Sequence, residues 1–193
     1  MNNLRTNWGV RTSTDGVGYK GFKWAPLGEW TKSPTWSEEP TCDSGGLFYQ
    51  GPGGYGYAQS GTRFELIESD GPRVCIDGDK LKSPRCRIVA VNAEAFALLR
   101  DLCDDFFLGS LDLSGCDLVG VTLPTSVGGY LDLRGCDLAG VTLPTSVGGS
   151  LDLRGCDLAG LTLPTSVGGY LDLRGCNLAG VTLPTTVGGK VYK

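Results

Sequence analysis

A mainly β chain is predicted, with an α+β N-terminal part and a C-terminal right-handed parallel β-solenoid of four 20-residue coils. Three observations predict it. Residues 111–190 are four tandem 20-residue units without a gap, and the unit 131–150, LDLRGCDLAGVTLPTSVGGS, differs from the others at only a few positions. Such self-similarity means one supersecondary unit stacked on copies of itself. Within the unit, Leu131 and Leu133 alternate with Asp132 and Arg134, the pattern of a half-buried strand. Each unit is also too short, and too rich in Gly and Pro, to hold a long helix.

Taken in order, residues 1–92 read as a small, aromatic-rich β domain. Strand candidates are Val17–Trp24, Gly46–Gln50, Arg63–Ser69, Arg73–Ile76 and Arg85–Val91, with Asp77-Gly78 suited to a tight hairpin turn. The aromatics Trp8, Trp24, Trp30, Trp36, Phe48, Tyr49, Tyr55 and Tyr57 concentrate here; core packing explains them more simply than a stacking surface for sugars or bases. Gly51, Gly53 and Gly56 spell G-x-G-x-x-G, but Pro52 lies inside the run and no helix pattern follows, so a phosphate loop is not expected. Asp77 with Asp79 is explained by the turn, and Glu65 and Glu68 face opposite ways on a strand. Residues 93–110 follow as a capping helix and linker. The helix is expected over 93–107, with Asn92 as N-cap and Phe96, Leu99, Cys103 and Phe106 on one face, lying over the first coil.

The solenoid occupies 111–193. Stacked coils place equivalent strands ~4.8 Å apart. Leu131, Leu133, Cys136, Leu138, Val141 and Leu143 point inward in each coil. Cys116, Cys136, Cys156 and Cys176 form a column at a spacing of 20, which is coil repetition; a small buried corner group explains it better than metal or redox chemistry. Cys42, Cys75, Cys86 and Cys103 show no zinc-ligand spacing. Outward columns on the sheet carry any function. These are Tyr130, Ser150, Tyr170 and Lys190; Asp112, Asp132, Asp152 and Asp172; and Arg134, Arg154 and Arg174, with Ser114 in the first unit. Stacked Asp side chains repel by about 1 kcal/mol per neighbour, and the Arg column offsets this. The Tyr130 column varies most while core positions hardly change, and Tyr is a favoured interface residue. The candidate binding residues are therefore Tyr130, Asp132, Arg134, Asp152, Arg154, Tyr170, Asp172 and Arg174.

Two repeat families share these inward positions. The run Leu131, Leu133, Cys136, Leu138, with Leu143-Pro144 after it, resembles the bacterial leucine-rich repeat, although Val127 lies four residues before Leu131 where that pattern expects three. The pentapeptide repeat is the alternative: LDLRG and CDLAG resemble its motif, VTLPT does so in part, and SVGGS does not, since Gly148 would be central and Val147 would face water. Helical or extended character at Thr145–Gly149 separates the two. The stretch from Tyr19-Lys20-Gly21-Phe22 through Lys80–Arg87 resembles small uncharacterised bacterial and phage domains, and the L-P-x-S-V-G-G-x-L-x-L run is similar to repeats in the same kind of genome, which implies a prokaryotic or phage source.

Composition excludes much chemistry. Without His there is no Ser-His-Asp or Cys-His arrangement and no His-ligated metal; no enzyme activity and no cofactor are expected. A net charge of −4 does not suggest direct nucleic-acid binding. The absence of a membrane-length apolar stretch, and a start (MNNLRTNWGV) unlike a signal peptide, suggest a cytoplasmic protein that binds no membrane. The expected function is a protein-binding module, fitting a phage-encoded inhibitor of a host defence or DNA-processing protein. Two alternatives remain. One is a DNA-mimicking inhibitor, suggested by the pentapeptide resemblance and by Asp117, Asp137 and Asp157, although residues 111–190 carry a net charge of only −3. The other is an enzyme with a carboxylate and Tyr site in residues 1–92. The strand begun at Lys190–Lys193 presents an open edge, either blunted by its lysines or used for a homodimer.

Overall fold

The computed structural model describes residues 7–17, 21–42, 46–51, 61–77 and 80–193. Seven strands form an antiparallel sheet in residues 8–91: β1 (Trp8–Ser13), β2 (Trp30–Lys32), β3 (Leu47–Gln50), β4 (Arg63–Asp70), β5 (Val74–Asp77), β6 (Lys80–Ser83) and β7 (Arg85–Val91), in the order β2-β7-β4-β1-β3-β6-β5. Four of the five expected strands are present. The fifth, Val17–Trp24, falls partly outside the described residues; among those described, Val17 makes isolated bridges to Thr14 and Lys23 and no strand is formed. In its place β1 occupies the centre of the sheet, paired along its length with β4. The sequence hides β1 because Arg11, Thr12 and Ser13 are polar and yet buried. Strands β5 and β6 pair as a hairpin; Gly78 and Asp79 lie outside the described residues, as do Gly53 and Gly56 of the glycine run and Tyr19, Lys20, Tyr55 and Tyr57.

Alternation along the strands divides the buried residues between two clusters. Trp8, Val10, Phe64, Leu66 and Ala90 join Ala95, Phe96 and Leu99 of helix α1 (Asn92–Leu102), where Phe64 and Phe96 stack at 4.1 Å. Trp24, Leu47, Tyr49, Ile67, Cys86 and Ile88 form the other.

Helix α1 is shorter than expected. Asp104 and Asp105 have φ of 48° and 60°, a left-handed turn that stops it. Phe106-Phe107 then forms a strand, β8, with Phe106 exposed and Phe107 buried. Nor is Asn92 the N-cap. Val91 holds that place without a side-chain hydrogen bond, while Asn92 Oδ1 accepts from the Phe64 N–H at 3.0 Å. Helix α1 packs on β4 and β7. The first coil is hydrogen-bonded to the residues after α1, where Thr125 N donates to Asp105 Oδ1 (3.0 Å) and Gly128 N to Phe107 O (2.7 Å), and also to the sheet and the segment before β4. Gln50 Nε2 donates to Ser110 O (2.7 Å), Asp117 N to Thr62 O (2.9 Å) and Cys116 Sγ to Gly61 O (3.1 Å).

The C-terminal region is a parallel β-solenoid of about four turns. Two five-stranded sheets run its length. One comprises β9 (Leu111–Asp112), β11 (Leu131–Asp132), β13 (Leu151–Asp152), β15 (Leu171–Asp172) and β17 (Val191–Tyr192). The other comprises β8, β10 (Ser126–Val127), β12 (Ser146–Val147), β14 (Ser166–Val167) and β16 (Thr186–Val187). Each residue pairs with its equivalent 20 positions away, Leu131 with Leu151 and Val147 with Val167. The six inward positions are buried in the unit 131–150, as expected. Val147 is buried too, and Thr145–Gly149 holds no helix: Ser146–Val147 is a strand with bends on either side. The fourth side of each coil therefore points its second residue inward, unlike a strict division into fives.

The glycine pair closing each unit is required by stacking. A Cβ at Gly148 would lie 2.2 Å from the Gly128 carbonyl oxygen, so coils approach at van der Waals distance only without a side chain. The core of Leu, Val and Cys runs unbroken from the N-terminal sheet through the coils.

Candidate binding face

The face under consideration is the outer surface of β9, β11, β13, β15 and β17 with the residues flanking them. Each strand is two residues long, so the chain turns at once, and the N–H of the residue two after Asp folds back on that Asp. Arg134, Arg154 and Arg174 donate backbone N–H bonds to Oδ1 of Asp132, Asp152 and Asp172 at 3.0, 3.2 and 3.2 Å. The same guanidiniums close over the carboxylates, with Nη2 2.5, 2.7 and 2.6 Å from Oδ2. Tyr130 adds an O–H donor to Asp132 at 2.6 Å. The three Asp residues are consequently only 0, 2 and 3 % exposed, and the expectation that they form an open outward column is corrected. Arg134 and Arg154 also reach the next coil's Asp, at 3.6 Å (Arg134 to Asp152) and 3.5 Å (Arg154 to Asp172). This continuous ladder is what offsets repulsion between stacked carboxylates. In the first coil Ser114 replaces Arg and donates to Asp112 Oδ1 at 2.8 Å.

Solvent meets the guanidiniums and the tyrosines. The Arg side chains are 43, 38 and 53 % exposed, and Tyr170 is 40 % exposed. The Tyr column begins one coil earlier than expected, at Ser110, and reads Ser110, Tyr130, Ser150, Tyr170, Lys190. The two serines accept the N–H of the following Tyr, at 2.9 Å (Tyr130 to Ser110) and 3.0 Å (Tyr170 to Ser150). Tyr192 was not singled out from sequence; it takes the fifth place in the Asp column, opposite Asp172. Its ring lies 6.1 Å from Tyr170, edge-on, with the Arg174 guanidinium at 5.3 Å and the Lys190 ammonium at 5.0 Å.

Electrostatics follow from this geometry. Burial pushes the Asp132 carboxyl up, but hydrogen bonds from Arg134 and Tyr130 outweigh it and hold the group below its ordinary value. The hydrogen bond from Arg174 dominates at Asp172, which is also lowered. A carboxylate depressed in the folded state contributes stability above its unfolded pKa and loses it as pH falls through the folded value. The melting temperature should therefore be flat near neutrality and fall below about pH 4, with a smaller fall in Asp132→Asn. A melting temperature unchanged at about pH 2.5 would contradict the ladder.

The other columns are accounted for by the coil itself. Oδ1 of Asp137 and Asp157 accepts an N–H two residues on, both at 3.0 Å, and Asn177 does the same at 3.1 Å. An amide serves as well as a carboxylate, so charge is not what the turn requires. Cys136, Cys156 and Cys176 donate S–H bonds to carbonyls of the preceding coil, at 3.0, 3.0 and 2.9 Å. All eight cysteines are free thiols, and burial pushes Cys116 up to about 12 and Cys156 up to about 11. A neutral alkylating reagent should modify exposed Cys75 in the folded protein and spare Cys116, Cys136 and Cys156 until unfolding, as peptide mapping would read. Equal labelling would show that the corner thiols are open.

Elsewhere, Glu65 and Glu68 are held in ion pairs. Arg11 Nε lies 2.8 Å from Glu65, with Arg63 beside it, and Arg87 Nε donates to Glu68 at 2.7 Å. On the opposite sheet of the solenoid, Phe106, Ser146, Gly148, Ser166 and Gly168 line a shallow open trough of about 370 Å³. Among the described residues no helix is long and apolar enough to cross a membrane. No family model, no curated relative and no solved structure gives a significant match to this chain.

Proposed function

We propose that the solenoid is a non-enzymatic protein-binding module whose contact face is the row of Arg134, Arg154 and Arg174 with Tyr130, Tyr170 and Tyr192. One observation carries this reading. Buried Asp132, Asp152 and Asp172 fix the guanidiniums at coil spacing beside the tyrosines, so little side-chain freedom is lost on binding. Tyr and Arg are the residue types that interfaces concentrate. The L-x-L-x-x-C-x-L run supports a leucine-rich-like coil, and a phage-encoded cytoplasmic inhibitor of a host defence or DNA-processing protein is the biological role that fits. A DNA mimic draws on Asp117, Asp137 and Asp157 with half-buried Asp112, because Asp132, Asp152 and Asp172 are covered.

The test uses substitutions the repeat already tolerates, since Ser150 occupies the Tyr position in its own coil. Tyr130→Ser, Tyr170→Ser and Lys190→Ser are combined and compared with the native chain in affinity capture from bacterial lysate, read by mass spectrometry. A protein retained by the native chain should be lost by the variant, which should still unfold cooperatively and keep the native circular-dichroism spectrum. Equal retention would remove the face from consideration, and displacement by duplex DNA would favour the mimic.

A further inference from the structure

We infer that the occupant of this face is an amphipathic, acidic α-helix of another protein, lying along the solenoid axis across the strands. This rests on the protein-binding reading above and specifies the partner. The sign of the charged groups that reach solvent is the first argument. Every carboxylate on these strands is buried or half-buried, whereas Arg134, Arg154, Arg174 and Lys190 reach solvent. Nε and Nη2 of each Arg are committed to Asp, which leaves Nη1 as an outward donor. A partner therefore meets N–H donors and aromatic rings, and must supply acceptors.

Spacing decides the form of those acceptors. The three guanidiniums stand at 0, ~4.8 and ~9.6 Å along the axis. A helix rising ~1.5 Å per residue places carboxylates at i, i+3 and i+7 at 0, ~4.5 and ~10.5 Å, a worst mismatch of ~0.9 Å that a Glu side chain absorbs. An extended strand places same-face residues ~6.7 Å apart, so its third carboxylate misses by almost 4 Å. Tyr130 and Tyr170 are two coils apart, ~9.6 Å, close to one i, i+7 step, and the residue between them is the small Ser150. The helix is thus acidic along one stripe and apolar along the next. Because each guanidinium already has a carboxylate partner, recognition is by directed hydrogen bonds rather than net charge, and salt weakens it only modestly.

Three acetylated and amidated peptides of roughly 18 residues test this by fluorescence anisotropy against the full chain. The first carries Glu at i, i+3 and i+7 with Leu on the adjacent stripe. The second has the same composition with Glu at every second position, and the third carries Lys in place of the Glu. The first should bind at least about tenfold more tightly than either control. Arg154→Glu should abolish that preference, and Lys at the facing i+3 position should restore it. Since Arg154→Glu adds a charge beside Asp152, Tyr170→Ser is the second variant, expected to weaken the first peptide about tenfold without changing the fold. Equal binding of the alternating peptide, or no binding of the helical one, overturns the inference. The capture experiment above judges the protein-binding reading separately.

Discussion

Gly168→Ala is expected to destabilise the solenoid by more than about 3 kcal/mol. A Cβ there would stand 2.0 Å from the Gly148 carbonyl oxygen, and the obstacle is backbone, which no rotamer change relieves. Relief requires the coils to separate, at the expense of the bonds from Gly168 N to Val147 O (2.8 Å) and Gly169 N to Gly149 O (2.7 Å). Gly155→Ala is the control. Gly155 has φ of 72° and nothing within 4 Å of the added carbon, so its penalty is the left-handed backbone alone, about 1–2 kcal/mol. Urea denaturation of the two variants separates the effects, and equal losses would refute close approach as the reason for the glycine pair.

Glu65→Ala should be comparably severe in the N-terminal sheet, at about 3–5 kcal/mol. Glu65 is fully buried and accepts from Ser13 Oγ at 2.7 Å as well as pairing with Arg11 and Arg63. Burial lowers the pKa of Arg11, and Glu65 is the group that opposes this. Removing it strands a guanidinium lying 4.1 Å over the Trp24 ring. The Arg11→Met, Glu65→Leu double variant replaces the pair with apolar volume and should recover most of the loss. A double variant no better than Glu65→Ala would mean that shape, not the unpaired charge, sets the cost.

The two regions differ in how much of them could be read beforehand. In the solenoid an exact period fixes the neighbours of every residue, so Leu131, Leu133, Cys136, Leu138, Val141 and Leu143 were legible as core. Strand β1 was not, because the burial of Arg11 and Ser13 depends on Glu65, 52 positions from Ser13 in the chain. The end of helix α1 was hidden for a local reason: Asp104 and Asp105 look like helical surface residues until their positive φ is seen. On the candidate face the columns were readable, but the covering of Asp132 was not. Alternation says which way a side chain leaves the strand, not that Arg134, two residues on, folds back over it.

The hydrogen bonds between coils have one more consequence. Between coils the hydrogen bonds run to immediate neighbours, and those of the Leu-Asp strands recur at a separation of 20 residues, as from Leu131 N to Ser150 O and from Leu151 N to Tyr170 O. Excising residues 151–170 would therefore join two surfaces that already fit, and duplicating them would do the same. Near-identical units are also prone to gain or loss by recombination. Length thereby changes how far the Arg and Tyr rows extend, in whole steps of one coil, and leaves the fold alone.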